Sequence, residues 1–263
     1  MDVKFSIITP SFNQGEYIED AIKSVQNQSK VKIEHIIIDG GSTDKTLSIL
    51  KNYKNLKWIS EKDRGQAHAL NKGLKLVSGD IVGWLNADDF YENNVFEKIL
   101  KNIKKKEIDI VYGNFFYVNK KKKKIKKRIS KKYFFLPKKI IALFVCFIPS
   151  VTFFIKKEKI KNIYFDEKAD FTMDKDLFAN LLFRRLKVKK INYTIGNMRL
   201  HENNRLENKN DEKSKTIRFS EGLYLFNKFS KIKLPENNFG IFIYKILQKK
   251  ILLLNFISNI FLK

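Results

Sequence analysis

Gly83-Trp84-Leu85-Asn86-Ala87-Asp88-Asp89 is an apolar run that ends in two adjacent carboxylates. A strand of this kind carries negative charge to the C-terminal edge of a sheet, where open α/β sheets bind their ligands. Hard cations such as Mg²⁺ and Mn²⁺ take oxygen from one or two carboxylates and complete their shell with water and substrate phosphates. The acid pair therefore has the chemistry to hold a divalent metal and a diphosphate. It reads equally as the cap of a helix starting near Glu92, because acids favour helix N-termini. Taken alone, this stretch leaves both readings open.

Outward from this stretch the chain keeps one rhythm. Phe5-Ser6-Ile7-Ile8-Thr9-Pro10 reads as a short buried strand, and Pro10, Asn13 and Gly15 make the turn after it. A helical pattern runs from about Glu16 to Gln28, with Ile18, Ala21, Ile22 and Val25 on one face. His35-Ile36-Ile37-Ile38-Asp39 is a second continuous apolar strand ending in an acid. Gly40-Gly41-Ser42-Thr43-Asp44 turns it into the next helix, with a hydroxyl as the expected N-cap. Leu56 to Ser60 reads as a third strand, Gln66 to Val77 as a helix and Asp80 to Leu85 as a fourth strand. Apolar strands alternating with helices predict a parallel sheet covered on both faces. In such a sheet Asp39 and Asp88 emerge at one edge.

Four pieces in this order carry a family resemblance: Ile8-Thr9-Pro10-Ser11-Phe12-Asn13, Ile38-Asp39-Gly40-Gly41-Ser42-Thr43-Asp44, Asp63-Arg64-Gly65-Gln66 through Asn71-Lys72-Gly73, and Trp84-Leu85-Asn86-Ala87-Asp88-Asp89. Residues 4–53 and 63–95 resemble the family-2 glycosyltransferases, inverting enzymes of the GT-A fold that use nucleotide-sugar donors. The resemblance implies an α/β, Rossmann-like, mostly parallel central sheet with helices on both faces. It implies that Pro10, Ser11, Phe12, Asn13 and Asp39 form the nucleotide-base pocket, with Gly41 and Ser42 in the turn beside it. Arg64, Gln66 and Asn71 would reach the ribose or diphosphate. Asn86-Ala87-Asp88 stands where the family has Asp-x-Asp, so Asn86 becomes a ribose contact and Asp88 the ligand of Mn²⁺ or Mg²⁺. Leu70 stands where an Arg is common in relatives, and His68 where an Asp is frequent.

The same resemblance reaches the second half of the chain. Asp174, with Asp176 as second choice, lies in Asp166–Phe178, which is similar to the stretch that carries the catalytic base at a helix start. Met173 replaces the Glu common before the first acid. Inverting transfer needs a base within hydrogen-bond reach of the acceptor hydroxyl. A metal offsets the charge growing on the departing diphosphate. An acidic helix start is the plain alternative for both acids. Arg199-Leu200-His201 resembles a later element that brings a donor contact, Arg199, and a metal ligand, His201. Ile148–Phe154 resembles the strand before the acceptor region.

Composition sets outer bounds. The 263 residues, 43% of them hydrophobic, suffice for one α/β domain and an appendage. The expected division is 1–201 for the catalytic domain, with a donor half 1–118 and an acceptor half 119–201. A polar linker, 202–214, and a helical segment, 215–263, follow. The single Cys146 excludes a disulfide framework and suits a reducing cytoplasm. Met1 leads almost directly into the first strand, so no signal peptide is expected. The apolar run 140–155 is too short for a membrane span and contains Pro149.

The formal charge is +25, and one block is unusually basic: ten of the thirteen residues of Lys120–Lys132 are Lys or Arg. Anionic lipid would attract such a block at about 1 kcal/mol per basic residue. Nucleic acid would bind it without sequence preference, yet no nucleic-acid-binding fold or stacking array accompanies it. From Phe239 the chain is largely apolar, and Lys245, Gln248, Lys249, Asn255, Asn259 and Lys263 fall on one side at helical spacing, a pattern suited to a bilayer interface. The expected protein is a cytoplasmic glycosyltransferase, peripheral on the inner face of the membrane, with a lipid-linked or polysaccharide acceptor. A sugar-phosphate nucleotidylyltransferase would open with a Gly-rich loop where Pro10-Ser11-Phe12-Asn13 stands. A non-catalytic membrane or nucleic-acid binding protein would leave Asp39, Asp88 and Asp174 without a task.

Overall fold

A computed structural model describes residues 3–104, 107–128, 148–184, 186–202, 204 and 212–261. Packing divides them into two compact units. Of the described residues, the first holds those within 3–128, 148–164 and 186–201, the second those within 165–184 and 202–261.

The first unit is built on one sheet. β1 (Lys4–Ser11), β2 (Lys32–Asp39), β3 (Lys57–Ser60) and β4 (Ile81–Trp84) lie in the order β3-β2-β1-β4 with every pairing parallel. Parallel strands need crossovers, and these are α1 (Ile18–Gln26), α2 (Thr46–Lys51) and α3 (Gln66–Leu76). Ile18, Ala21, Ile22 and Val25 of α1 are all buried, as their spacing predicts. Gly73 lets α3 approach β1: a Cβ there would stand 2.4 Å from the Ile8 side chain. Beyond β4 the sheet becomes mixed. β5 (Phe90–Tyr91), β6 (Ile110–Val118), β7 (Lys124–Arg128), β8 (Phe154–Lys156) and β9 (Val188–Arg199) extend it in the order β8-β6-β9-β5. β7 pairs antiparallel with the far end of β6, and β9 runs parallel to β6. α4 (Val95–Ile103) covers this half, and Phe5, Phe96, Tyr91 and Phe154 interlock beneath it, Phe5 and Phe96 stacking at 4.8 Å.

Several local expectations change. The helix after the acid pair starts at Val95, not near Glu92, because residues 90–91 pair with β9 and the Glu92 amide donates to the Ile195 carbonyl. Asp88 and Asp89 therefore cap no helix. The N-terminus of α2 is served by Asp44, whose carboxylate accepts from the Thr46 amide at 2.9 Å, and by no hydroxyl. Ile148–Phe154 is a single 3₁₀ turn, Ser150–Thr152, leading into β8, followed by the short α5 (Lys157–Ile160). Residues 129–132 of the basic block, Cys146 and most of the 202–214 segment lie outside the described residues.

The second unit holds α6 (Met173–Phe183), α7 (Glu212–Phe229) and α8 (Asn238–Phe261). α7 and α8 pack through Leu223, Phe226 and Tyr244, with Phe219, Leu234, Ile241 and Leu247 around them. A Cβ on Gly222 would sit 2.7 Å from the Tyr244 hydroxyl, so this residue sets the closeness of the pair. The Asn227 amide fastens the connection, donating to and accepting from the Leu234 backbone at 2.8 Å each way. No helix among the described residues is long and apolar enough to cross a membrane.

Candidate active site

The C-terminal ends of β1, β2 and β4 meet at one edge of the first unit, and the sequence-predicted donor residues stand there. Asp39 closes β2 in full burial. Its carboxylate accepts from the Gly41 and Ser42 amides at 3.2 and 2.8 Å, the Ser42 hydroxyl at 2.5 Å and the Ser60 hydroxyl at 2.7 Å. Gly41 adopts φ +84°, where a side chain would be strained. Ser42 in turn accepts from the Asn13 amide at 2.7 Å, and the Asn13 side chain accepts from Thr43 at 2.9 Å. The loops after β1 and β2 thus form one hydrogen-bonded body around a buried carboxylate. Phe12 projects from it, 58% exposed.

The loop after β4 is tied to α3 and to β9. Gln66 donates to the Asn86 side chain at 2.7 Å, and Asn71 is buried on the same helix. Arg64 is exposed in the preceding loop, where its amide donates to His68 at 3.2 Å. β5 pairs with Gly196 and Asn197 of β9, which draws the next residues of β9 alongside Asp88. Arg199 is buried and saturated. Its side chain donates to the Asp88 carbonyl at 2.9 Å, the Lys120 carbonyl at 3.0 Å and the Asp20 carboxylate at 2.7 Å, and its amide donates to Asp89 at 2.9 Å. Two residues on, His201 Nε2 stands 3.1 Å from Asp88 Oδ2, while its ring packs on Tyr17 at 4.5 Å. Its Nδ1 is buried without a hydrogen bond.

The two members of the acid pair are not equivalent. Burial, reinforced by the Asp88 charge, pushes the Asp89 carboxyl well above its ordinary range. Asp88 keeps a partly open side chain beside His201. Among the described residues no group of three or more His, Cys, Asp and Glu forms a complete metal cage. A divalent cation held by Asp88 and His201 would have to take its remaining ligands from phosphate and water.

Asp174 and Asp176 belong to the second unit, in the first turn of α6. Asp176 is fully buried, ion-paired with Lys228 at 2.8 Å, and accepts from the Asp166 amide at 3.2 Å. Burial raises its carboxyl, and the Lys228 charge opposes that rise. Asp174 remains partly exposed, its carboxylate accepting from the Lys175 amide at 2.8 Å. Glu221 of α7 holds the start of α6 by accepting from the Phe171 and Thr172 amides at 3.2 and 2.8 Å. Sequence reasoning missed Asp20, Tyr17, Lys228 and Glu221, because each acts through a partner far away in sequence. Only the position of Asp20 and Tyr17 on a helix that opens at the same sheet edge could have pointed to them.

A family model described as glycosyl transferase family 2 matches residues 6–164. A putative teichuronic acid biosynthesis glycosyltransferase of Bacillus subtilis, TuaG, is 40% identical over 101 residues, covering 36% of this chain and 40% of that protein. The chain spans less than half the length of most curated relatives it matches. Among solved structures, S. aureus TarS in complex with UDP superposes with a TM-score of 0.63 at 18% identity, covering 88% of this chain and 67% of that one. The mannosyltransferase PcManGT from Pyrobaculum calidifontis, in complex with GDP-Man and Mn²⁺, superposes with a TM-score of 0.64 at 17% identity, covering 94% and 70%.

Proposed function

Since the chain belongs to glycosyl transferase family 2, we propose that it moves a sugar from a nucleoside-diphosphate donor to a polysaccharide or lipid-linked acceptor, with inversion at the anomeric carbon. The observation that carries this reading is the approach of Asp88 and His201 to 3.1 Å at the sheet edge that also holds the Asp39 loop body. Two neighbouring ligands of an octahedral ion, at bond lengths of about 2.1 Å, stand about 3 Å apart. The pair therefore fits Mn²⁺ or Mg²⁺. An ion held there would offset charge on the departing diphosphate.

The loop Pro10–Asn13, with Ser11 at its centre, receives the base: Phe12 offers an exposed ring face and Asp39 fixes the Gly41–Ser42 turn against Asn13. Gln66 and Asn86, joined to each other, address the ribose, with Ala87 setting the step to Asp88. Arg64 and Asn71 reach the diphosphate, and Arg199 holds the Asp88 backbone in place. We assign a UDP-sugar first; the UDP-bound neighbour supports it, and the GDP-Man-bound neighbour supplies the alternative. The acceptor hydroxyl attacks the anomeric carbon, its proton passes to Asp174, and the nucleoside diphosphate leaves from the opposite face. Asp174 takes this role because it is the acid of α6 with an accessible side chain, whereas Asp176 is committed to Lys228. The polysaccharide acceptor draws support from the name of the B. subtilis relative. An anionic membrane contact is assigned to α8, where Phe239, Phe242 and Ile246 are exposed along one face beside Lys245, Lys249 and Lys250.

Thermal unfolding with UDP, UDP-GlcNAc and GDP-Man, with and without Mn²⁺, tests the donor site. Ligand at a hundred times its Kd adds about 2.7 kcal/mol, roughly a 5–10 °C rise for a chain of this size. The rise should need Mn²⁺ and vanish in Asp88→Asn. A nucleotide shift equal in parent and variant would remove Asp88 from the site.

A further inference from the structure

We propose that the β6–β7 hairpin is a cationic track for a linear polyanion, the body of the acceptor chain, beginning at the edge that carries Asp88. Eight of the nine residues Lys120–Arg128 are Lys or Arg, where the chain average of 53 in 263 gives about two. All nine are exposed. The turn is fastened to the site itself. Arg199 bonds the Lys120 carbonyl at 3.0 Å and the Asp88 carbonyl at 2.9 Å, and Asp20 bridges Arg199 to Lys122 at 2.7 and 2.8 Å. From there β7 runs back along β6 for five residues, about 14 Å at 3.4 Å per step. Cations project on both sides of this ribbon. Lys124 and Lys127 lie over the Phe116 ring at 4.3 and 5.9 Å, and Arg128 lies over Tyr117 at 5.4 Å.

The shape distinguishes a chain from a membrane. A bilayer meets one face and rewards apolar insertion, but Ile125 is the sole apolar side chain between Lys120 and Arg128. A linear polymer with phosphate or carboxylate groups can follow a narrow ribbon charged on both sides, with its growing end at the Asp88 edge. Such binding releases counterions and is strongly salt-dependent. The inference rests on the glycosyl-transfer reading for the polymer's role as acceptor.

Labelled inorganic polyphosphate is the probe. Lys121→Gln/Lys123→Gln/Lys126→Gln removes three charges and leaves the pairs of Lys122 and Lys124 with Asp20 and Glu92 intact. Lys51→Gln/Lys54→Gln/Lys75→Gln removes three exposed charges elsewhere. The hairpin variant should bind at least tenfold more weakly, with a salt slope reduced by about two, while the control stays within about twofold of the parent. Equal losses in both variants would make the effect one of overall charge and overturn the proposal. Unchanged polyphosphate binding with loss of binding to phosphatidylglycerol vesicles would overturn it in favour of a membrane contact. The UDP–Mn²⁺ thermal shift, measured on the parent and the hairpin variant, should be equal. Its absence from the parent would sink the donor reading, while the polyphosphate comparison would still decide whether the hairpin is a polyanion site.

Discussion

Asp174 and Asp176 are indistinguishable as letters: two acids in the first turn of one helix, each able to serve as base or as cap. Packing separates them. Asp176 lies in full burial against Lys228, and Asp174 stays accessible. Asp174→Asn should lower the transfer rate by about 10²–10⁴, the usual weight of a general base, while the donor-induced thermal shift persists. Lys228→Met should act on stability. It leaves the Asp176 carboxylate buried without its cation, at a cost of about 3 kcal/mol or more, read from urea unfolding. If Asp176→Asn rather than Asp174→Asn abolishes transfer in a folded protein, the assignment of the base is reversed.

At the scale of elements, the ends of the strands opposite the site are pinned by Glu34. This buried carboxylate accepts from the Ser6 hydroxyl, the Ser78 amide and hydroxyl, and the ammonium groups of Lys4 and Lys57 at 3.0 Å. Burial pushes its carboxyl up, but these donors outweigh burial and hold it far below the ordinary carboxylate range. The folded pKa lies below the unfolded one. The stability contributed is therefore complete above the unfolded value near 4.5 and is lost as pH falls below it. Glu34→Gln should lower the melting point at pH 7, consistent with loss of about 1.5–3 kcal/mol. That deficit should shrink steadily below about pH 4.5; a deficit independent of pH would refute the charged role. The strand pattern itself was readable because buried parallel strands are nearly continuous apolar runs, as in Ile36-Ile37-Ile38. β5 and β9 were not readable. β5 has two residues, and β9 breaks its apolar positions with Lys189, Lys190, Asn192, Thr194, Gly196 and Asn197, so neither stands out from loop sequence.

For the whole molecule, α8 joins the hydrophobic seam it shares with α7 to an outward stripe. Tyr244 is buried, whereas Phe239 and Phe242 are 64% and 58% exposed. One side of α8 is thus packed on α7, and another is open. Phe239→Ser/Phe242→Ser should weaken binding to phosphatidylglycerol vesicles by more than tenfold, since burying an aromatic side chain contributes about 1.5–3 kcal/mol. Cosedimentation measures this, and polyphosphate binding should be unchanged. Equal sedimentation of parent and variant would confine α8 to packing.

The sequence by itself determined the family, the parallel first half of the sheet and the strand-end residues, from Pro10 to Asp88, that gather at one sheet edge. These depend on local signals, namely continuous apolar runs, turn residues at set offsets and acids at strand ends. The tertiary structure decided what depends on distant partners. Pairing of β9 with β5 and β6 brings Arg199 and His201 to Asp88 across more than a hundred residues. Burial closes Asp176 against Lys228 and leaves Asp174 open, and Asp44 serves α2 while the Ser42 hydroxyl is engaged by Asp39. The physical reason is common to all three. A side chain's role follows from its dielectric surroundings and its hydrogen-bond partners, and the folded chain supplies both.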